Sequence, residues 1–99
     1  MKFIILFEDN PDADPDIRKT HMPDHLAFLE RNAGAVPAAG PLFDASGNGE
    51  GGLWVVDAES EADAERLVHE DPFWPTGLRR SYRILRWTRV FADGKRLIG

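Results

Sequence analysis

Lys2-Phe3-Ile4-Ile5-Leu6-Phe7-Glu8 reads as a β-strand from its β-branched and aromatic content. Alternation puts Phe3, Ile5 and Phe7 on one face and Ile4 and Leu6 on the other. Both faces are apolar, so both must be covered. A strand of this kind needs helices on one side and something further on the other.

Downstream, Asp9–Asp16 is rich in turn residues, and Asp14 is placed to cap a helix whose first residue is Pro15. A helix follows from about Ile17 to Asn32, with Gly34 past its end. Met22, Leu26, Leu29 and Ala33 form its apolar stripe. Pro23 either kinks this helix or begins its principal segment. Val36–Phe43 reads as a weak second strand interrupted by Pro37 and Pro41. Asp44–Gly52 has four glycines in nine residues and reads as a flexible connection. Leu53–Asp57 is a third strand, again apolar on both faces. Ser60-Glu61-Ala62-Asp63 opens a second helix with a pattern close to a capping box. Its buried stripe is Ala64, Leu67 and Val68, and it must end near Asp71-Pro72, because a residue before proline avoids helical backbone. Ser81–Phe91 is the fourth strand. Residues 92–99 are a tail, with a short strand at Arg96-Leu97-Ile98.

The order β-α-β-β-α-β is the split βαβ arrangement. It predicts an α+β, ferredoxin-like single domain over residues 1–99: a four-stranded antiparallel sheet with both helices on one face. Two helices leave the other sheet face open, with Trp54, Leu85, Trp87 and Phe91 adding bulk. The economical cover is a second copy of the chain, so a homodimer packed sheet against sheet is expected.

Ninety-nine residues fit one domain, and 42% hydrophobic with 29% charged residues is ordinary for a folded globule. The absence of cysteine excludes a disulfide framework, a thiolate metal site and a cysteine nucleophile. The apolar runs are too short to span a bilayer, and Glu8-Asp9 cut the first one before any leader could form, so a cytoplasmic protein without a membrane partner is expected. Residues 1–78 carry five Lys or Arg against sixteen Asp or Glu, whereas residues 79–99 carry seven against one. The acidic body would repel a phosphate backbone, so the basic strand is read as lying beside acidic parts of its own fold, with no nucleic-acid partner.

His25 and Asp71 are the residues best placed for chemistry. His25 falls about 60° from Met22 on a helical wheel, at the margin of the apolar stripe. Asp71 closes the second helix. Both helices share one sheet face, so the two can meet. A carboxylate bonded to one imidazole nitrogen fixes the tautomer and leaves the other as a base. The bland alternative is a half-buried histidine and a helix-terminal aspartate that never touch. Other patterns are weaker. His21 and His25 are four apart, but two imidazoles are not a metal site. Asp12, Asp14 and Asp16 start like a calcium loop, yet Ile17 and Pro23 stand where it needs Gly and Glu. Gly47–Gly52 is glycine-rich, but no helix follows to receive a phosphate. His69 reads as a solvated helix residue. Arg79, Arg80, Arg83, Arg86 and Arg89 read as surface or cross-strand ion pairs, one of them available to a substrate carboxylate. No metal and no cofactor are expected.

The chain resembles the YciI-like (YCII-related) family of small proteins. The resemblance lies in Phe3–Glu8, His25-Leu26-Ala27-Phe28-Leu29, Ala39-Gly40-Pro41-Leu42, Asp71-Pro72-Phe73, Gly77, Ile84-Leu85 and Trp87, and covers about residues 2–91. It implies a ferredoxin-like fold, a dimeric α+β barrel and a His/Asp-centred site, here His25 and Asp71. A small-molecule enzyme is then expected, a cofactor-independent lyase or isomerase acting on a small, cyclic substrate. Gly40, Pro41, Phe43, Phe73 and Trp74 would form the substrate wall. The alternative is a non-catalytic ligand-binding or regulatory dimer. Met22 stands where relatives often carry arginine, Gly52 where some carry serine, and Pro23 inside the helix is unlike them.

Overall fold

The computed structural model describes all residues, Met1–Gly99. Strands β1 (Lys2–Asp9), β2 (Ala38–Phe43), β3 (Gly49–Asp57) and β4 (Arg79–Arg86) form one antiparallel sheet in the order β2-β3-β1-β4. Helices α1 (Ile17–Arg31) and α2 (Glu61–Glu70) lie together on one side of it. This is the ferredoxin-like fold. No helix is long and apolar enough to cross a membrane.

The alternation of β1 sorts the two sheet faces. Phe3, Ile5 and Phe7 are buried beneath the helices with Trp54 and Val56 of β3, and Phe28, Ala64, Leu67 and Val68 close that core from above. The other face carries Ile4 and Leu6, paired with Val55 and Leu53 on one side and with Leu85 and Arg83 on the other. Ile4, Leu6, Leu53 and Val55 are half-buried and Leu85 is exposed, so an apolar face stands open. Trp54 belongs to the helix face, not to this open one.

Several local expectations change. Helix α1 runs unbroken through Pro23, which is exposed, so water can serve the carbonyl that proline leaves without a partner. Asp14 does not cap it. Its Oδ1 accepts from the Asp16 N–H at 2.9 Å, making a turn, and the helix begins at Ile17. The buried face of α1 is His25 and Phe28, whereas Leu26 is 48% exposed. Strand β3 begins at Gly49, inside the stretch read as flexible. Asp44 Oδ1 accepts from the N–H groups of Ser46 (2.9 Å) and Asn48 (2.8 Å), and this side chain holds the tight β2–β3 turn. Strand β4 starts two residues early, at Arg79, and stops at Arg86. The last residues form a small hairpin of β5 (Phe91–Ala92) and β6 (Lys95–Arg96).

Candidate active site

Helix α2 brings Asp71 to the site. Ser60 Oγ accepts from the Asp63 N–H at 3.2 Å to start the helix, and Asp71 ends it with extended backbone (ψ 130°) before Pro72. That turn carries the carboxylate away from the helix axis and under α1. There His25 Nδ1 lies 2.8 Å from Asp71 Oδ1. The same oxygen accepts from the Phe73 N–H at 3.1 Å, and Oδ2 accepts from Arg79 Nη1 at 2.6 Å. The Asp71 side chain is fully buried, and those of Arg79 and His25 are 7% and 10% exposed.

Burial pushes the Asp71 carboxyl up. The His25 hydrogen bond, the Arg79 charge and the Phe73 N–H together outweigh burial, and the net direction is down. Asp71 is therefore an acceptor-only carboxylate, which requires the proton of the shared bond to sit on His25 Nδ1. Burial lowers the Arg79 guanidinium against the opposing pull of Asp71. Its cation also lies 4.0 Å from the centre of the Phe7 ring. The His25 ring lies 4.5 Å from that of Phe73, tilted by 38°. Its Nε2 makes no hydrogen bond within the protein and is not sealed from solvent.

Nε2 opens to a cleft of about 130 Å³ between α1 and the sheet, walled by Phe7, Met22, Leu26, Trp54, Pro41 and Phe73 among others. Arg18 and Asp9 stand at its edge, 3.0 Å apart. Of the expected wall residues, Gly40, Pro41 and Phe73 line this cleft. Phe43 and Trp74 lie outside it. Phe43 sits at the far end of β2 and is 64% exposed, because the β2–β3 pairing shifts register after Pro41. Trp74 packs instead on His69 (4.8 Å) and Tyr82 (5.4 Å). No group of three or more His, Asp or Glu side chains is placed to share a metal ion.

Arg79 is the residue that sequence reasoning missed. Simple alternation would put Arg80, not Arg79, on the side of Tyr82 and Ile84. The β1–β4 pairing slips between Glu8 and Asp9, leaving Arg80 extra, so Arg79 faces Asp9 on the helix side. Such bulges re-aim side chains beside functional sites. Arg80 makes a cross-strand ion pair with Glu8, as read for the group. A bulge depends on the partner strand, and nothing in the local sequence marks this one.

His69 is exposed but not merely solvated. Its Nε2 is 3.2 Å from the Tyr82 hydroxyl, which donates to Glu65 Oε1 at 2.6 Å. Burial, then the Glu65 bond and charge, push the Tyr82 hydroxyl up to about 12. The chain has one tyrosine. Tyrosinate absorbance in the folded protein is therefore expected to stay absent through the ordinary range near 10.0 and to appear toward about 12. Glu65→Gln should shift the titration back. A wild-type midpoint at the ordinary value would contradict the Glu65 contact.

The fold and the buried pair of His25 in α1 and Asp71 beneath it define a ferredoxin-like domain with a cleft beside that pair. The model of the YCII-related domain matches residues 1–88, and the chain belongs to that family. No curated protein sequence matches it. Among solved structures it is similar to 5-chloro-2-hydroxyhydroquinone dehydrochlorinase (TftG) from Burkholderia phenoliruptrix, in complex with 2,5-dihydroxybenzoquinone. The identity is 27%, the match covers 89% of this chain and 94% of that one, and the TM-score is 0.73. A hypothetical protein of Arabidopsis thaliana shares the fold alone, at 11% identity over 93% of this chain and 89% of that one, with a TM-score of 0.53.

Proposed function

We propose that the cleft is the active site of a small-molecule enzyme, a lyase or isomerase that moves a proton on a small cyclic substrate. One observation carries this reading. His25 has Nδ1 held by a buried carboxylate while Nε2 stands free in the cleft. In its neutral form Nε2 takes a proton from a substrate carbon or hydroxyl. Asp71 stabilises the imidazolium that forms, and Arg79 keeps Asp71 ionised. In an elimination, the electron pair of the broken C–H bond becomes the new double bond. The leaving group departs with its own pair, and water takes the proton from His25. In an isomerisation His25 returns the proton to another atom of the ring.

A cavity of about 150 Å³ accommodates benzene, so a cleft of about 130 Å³ suits a single ring with substituents reaching the open side. Similarity to a dehydrochlorinase solved with a six-membered quinone supports the same class. Gly40, Pro41 and Phe73 bound the ring, and Arg18 at the edge suits a ring oxygen that carries negative charge. The enzyme acts as a homodimer closed over the open face of Ile4, Leu6, Leu53, Val55 and Leu85.

The test uses 5-chloro-2-hydroxyhydroquinone for turnover and 2,5-dihydroxybenzoquinone for binding. His25→Ala is expected to lower turnover by about 10²–10⁴ while leaving binding within a few-fold. His25→Gln, which keeps a donor toward Asp71, controls for damage to the fold. Turnover unchanged in His25→Ala would refute the catalytic role. Binding without turnover in the wild type would favour a ligand-binding accessory dimer.

A further inference from the structure

A second hollow adjoins the cleft. It holds about 160 Å³ and is walled by Pro41, Leu42, Phe43, Gly49 and Gly51, with Asp9 and Arg18 at its inner end. Asp9, Arg18 and Pro41 also line the cleft of His25, so the two spaces meet at the Arg18–Asp9 pair. Alternation explains the shared wall. Pro41 and Phe43 are two residues apart in β2 and stand on one face of it, the face that carries the helices. The wall that Pro41 gives the cleft therefore continues outward to Phe43. This hollow lies away from the open sheet face of Ile4, Leu6 and Leu85.

The two spaces differ in chemistry. The accessible wall of the outer one is almost wholly apolar, whereas the cleft holds the His25 imidazole and Arg79. Phe43 is 64% exposed and belongs to no part of the core, a large apolar side chain left beside a cavity. Gly49, opposite Phe43 in β3, has no atom within 4 Å of where a Cβ would stand. Its φ is not positive, so the backbone does not require glycine there, and a larger side chain would take up the hollow. The divide between the spaces is polar and weakly held. Arg18 Nη2 donates to Asp9 Oδ2 at 3.0 Å, and the other N–H groups of the guanidinium have no partner in the protein. The two side chains are 39% and 36% exposed, as in ion pairs that contribute little to folding. Arg18 is thus free to bond an anionic oxygen lying between the cleft and the outer hollow.

We infer that the outer hollow is a subsite for an apolar substituent of the substrate: the ring lies beside His25, its anionic oxygen bonds Arg18, and the substituent packs on Phe43 over Gly49. The inference rests on the active-site reading above and narrows the substrate class. The substrate is a ring that carries an oxygen and an apolar group on adjacent carbons. Size sets the group. A cavity of about 150 Å³ accommodates benzene, so about 160 Å³ takes a phenyl or a branched alkyl group of similar bulk. Phe43 favours the flat one, because two aromatic rings gain from offset or edge contact beyond the area they bury.

The test compares two probes, 2,5-dihydroxybenzoquinone and its 3-phenyl derivative, by titration calorimetry on the wild type, Phe43→Ala and Gly49→Leu. The wild type is expected to bind the phenyl compound about tenfold tighter than the parent, or more, from the apolar area buried. That ratio should fall toward one in Phe43→Ala. It should drop below one in Gly49→Leu, whose side chain fills the hollow. Phe43 is exposed and Gly49 faces open space, so both substitutions suit the fold, and either variant alone reads the ratio should the other misfold. A wild type that binds the phenyl compound no tighter than the parent overturns the subsite. So does a preference that survives in both variants. Binding of neither quinone overturns the subsite together with the active-site reading. The expected preference in a wild type that does not turn over 5-chloro-2-hydroxyhydroquinone supports the subsite and removes the enzyme reading alone.

Discussion

Asp71→Ala is expected to cost about 3–5 kcal/mol in urea unfolding, among the largest effects of any single substitution in this chain. The reason is the company the carboxylate keeps. It is fully buried, with Arg79 on one oxygen at 2.6 Å and His25 and the Phe73 N–H on the other. Removing it leaves a guanidinium that is 7% exposed with no counter-charge. Asp71→Asn keeps the shape but not the charge, so it too should weaken the fold, and it favours the wrong imidazole tautomer besides. The double change Asp71→Leu/Arg79→Met should recover most of the stability, because removing a whole buried pair spares the orphaned charge. Acid should report the same contact. The folded-state carboxyl lies below its ordinary value of 3.8. The stability it contributes is complete above that value and is lost as pH falls through the lower folded-state value. This acid limb should flatten in Asp71→Asn. An Asp71→Ala cost below about 1 kcal/mol, the scale of an exposed pair, would mean that Arg79 reaches water and the pair is not buried in solution.

How legible this site is from sequence depends on how local each cause is. Asp71 is readable because the proline after it compels extended backbone, a constraint between neighbours. The element order is readable because apolar alternation and helical spacing are short-range. His25 is readable as a candidate, but its place is not. Counting apolar residues favours Met22 and Leu26, which instead face the cleft, while Phe28 and His25 form the buried face. A buried histidine satisfied by a carboxylate from another helix looks polar to any local count. Arg79 and Phe43 are harder still, because two register shifts set where they point, and a shift belongs to a pair of strands. Trp74 is drawn off the cleft by His69 and Tyr82, partners in α2 and β4.

The glycine-rich stretch shows most clearly what composition hides, and it carries a second large expectation. Gly51 is buried in β3, with φ at 87°. A Cβ there would collide with the carbonyl oxygen of Phe7, which is main chain and cannot swing aside. Gly51→Ala should therefore incur about 1–2 kcal/mol for left-handed backbone, with about 1–3 kcal/mol more for overpacking. The strain falls on Phe7, whose ring lies beneath the Arg79 cation and against Trp54 at 5.0 Å. At about 4–8 °C per kcal/mol for a domain of this size, the fall in Tm is easily measured. Gly49 supplies the control. It lies two residues away, has open space around its Cβ direction and no positive φ. Gly49→Ala should stay within about 0.5 kcal/mol of the wild type. Equal losses at the two positions would mean that the stretch is uniformly sensitive and that the close approach to Phe7 is not what requires glycine. A loss confined to Gly51 would identify that residue as the point where β3 must pass under the strand that walls the cleft.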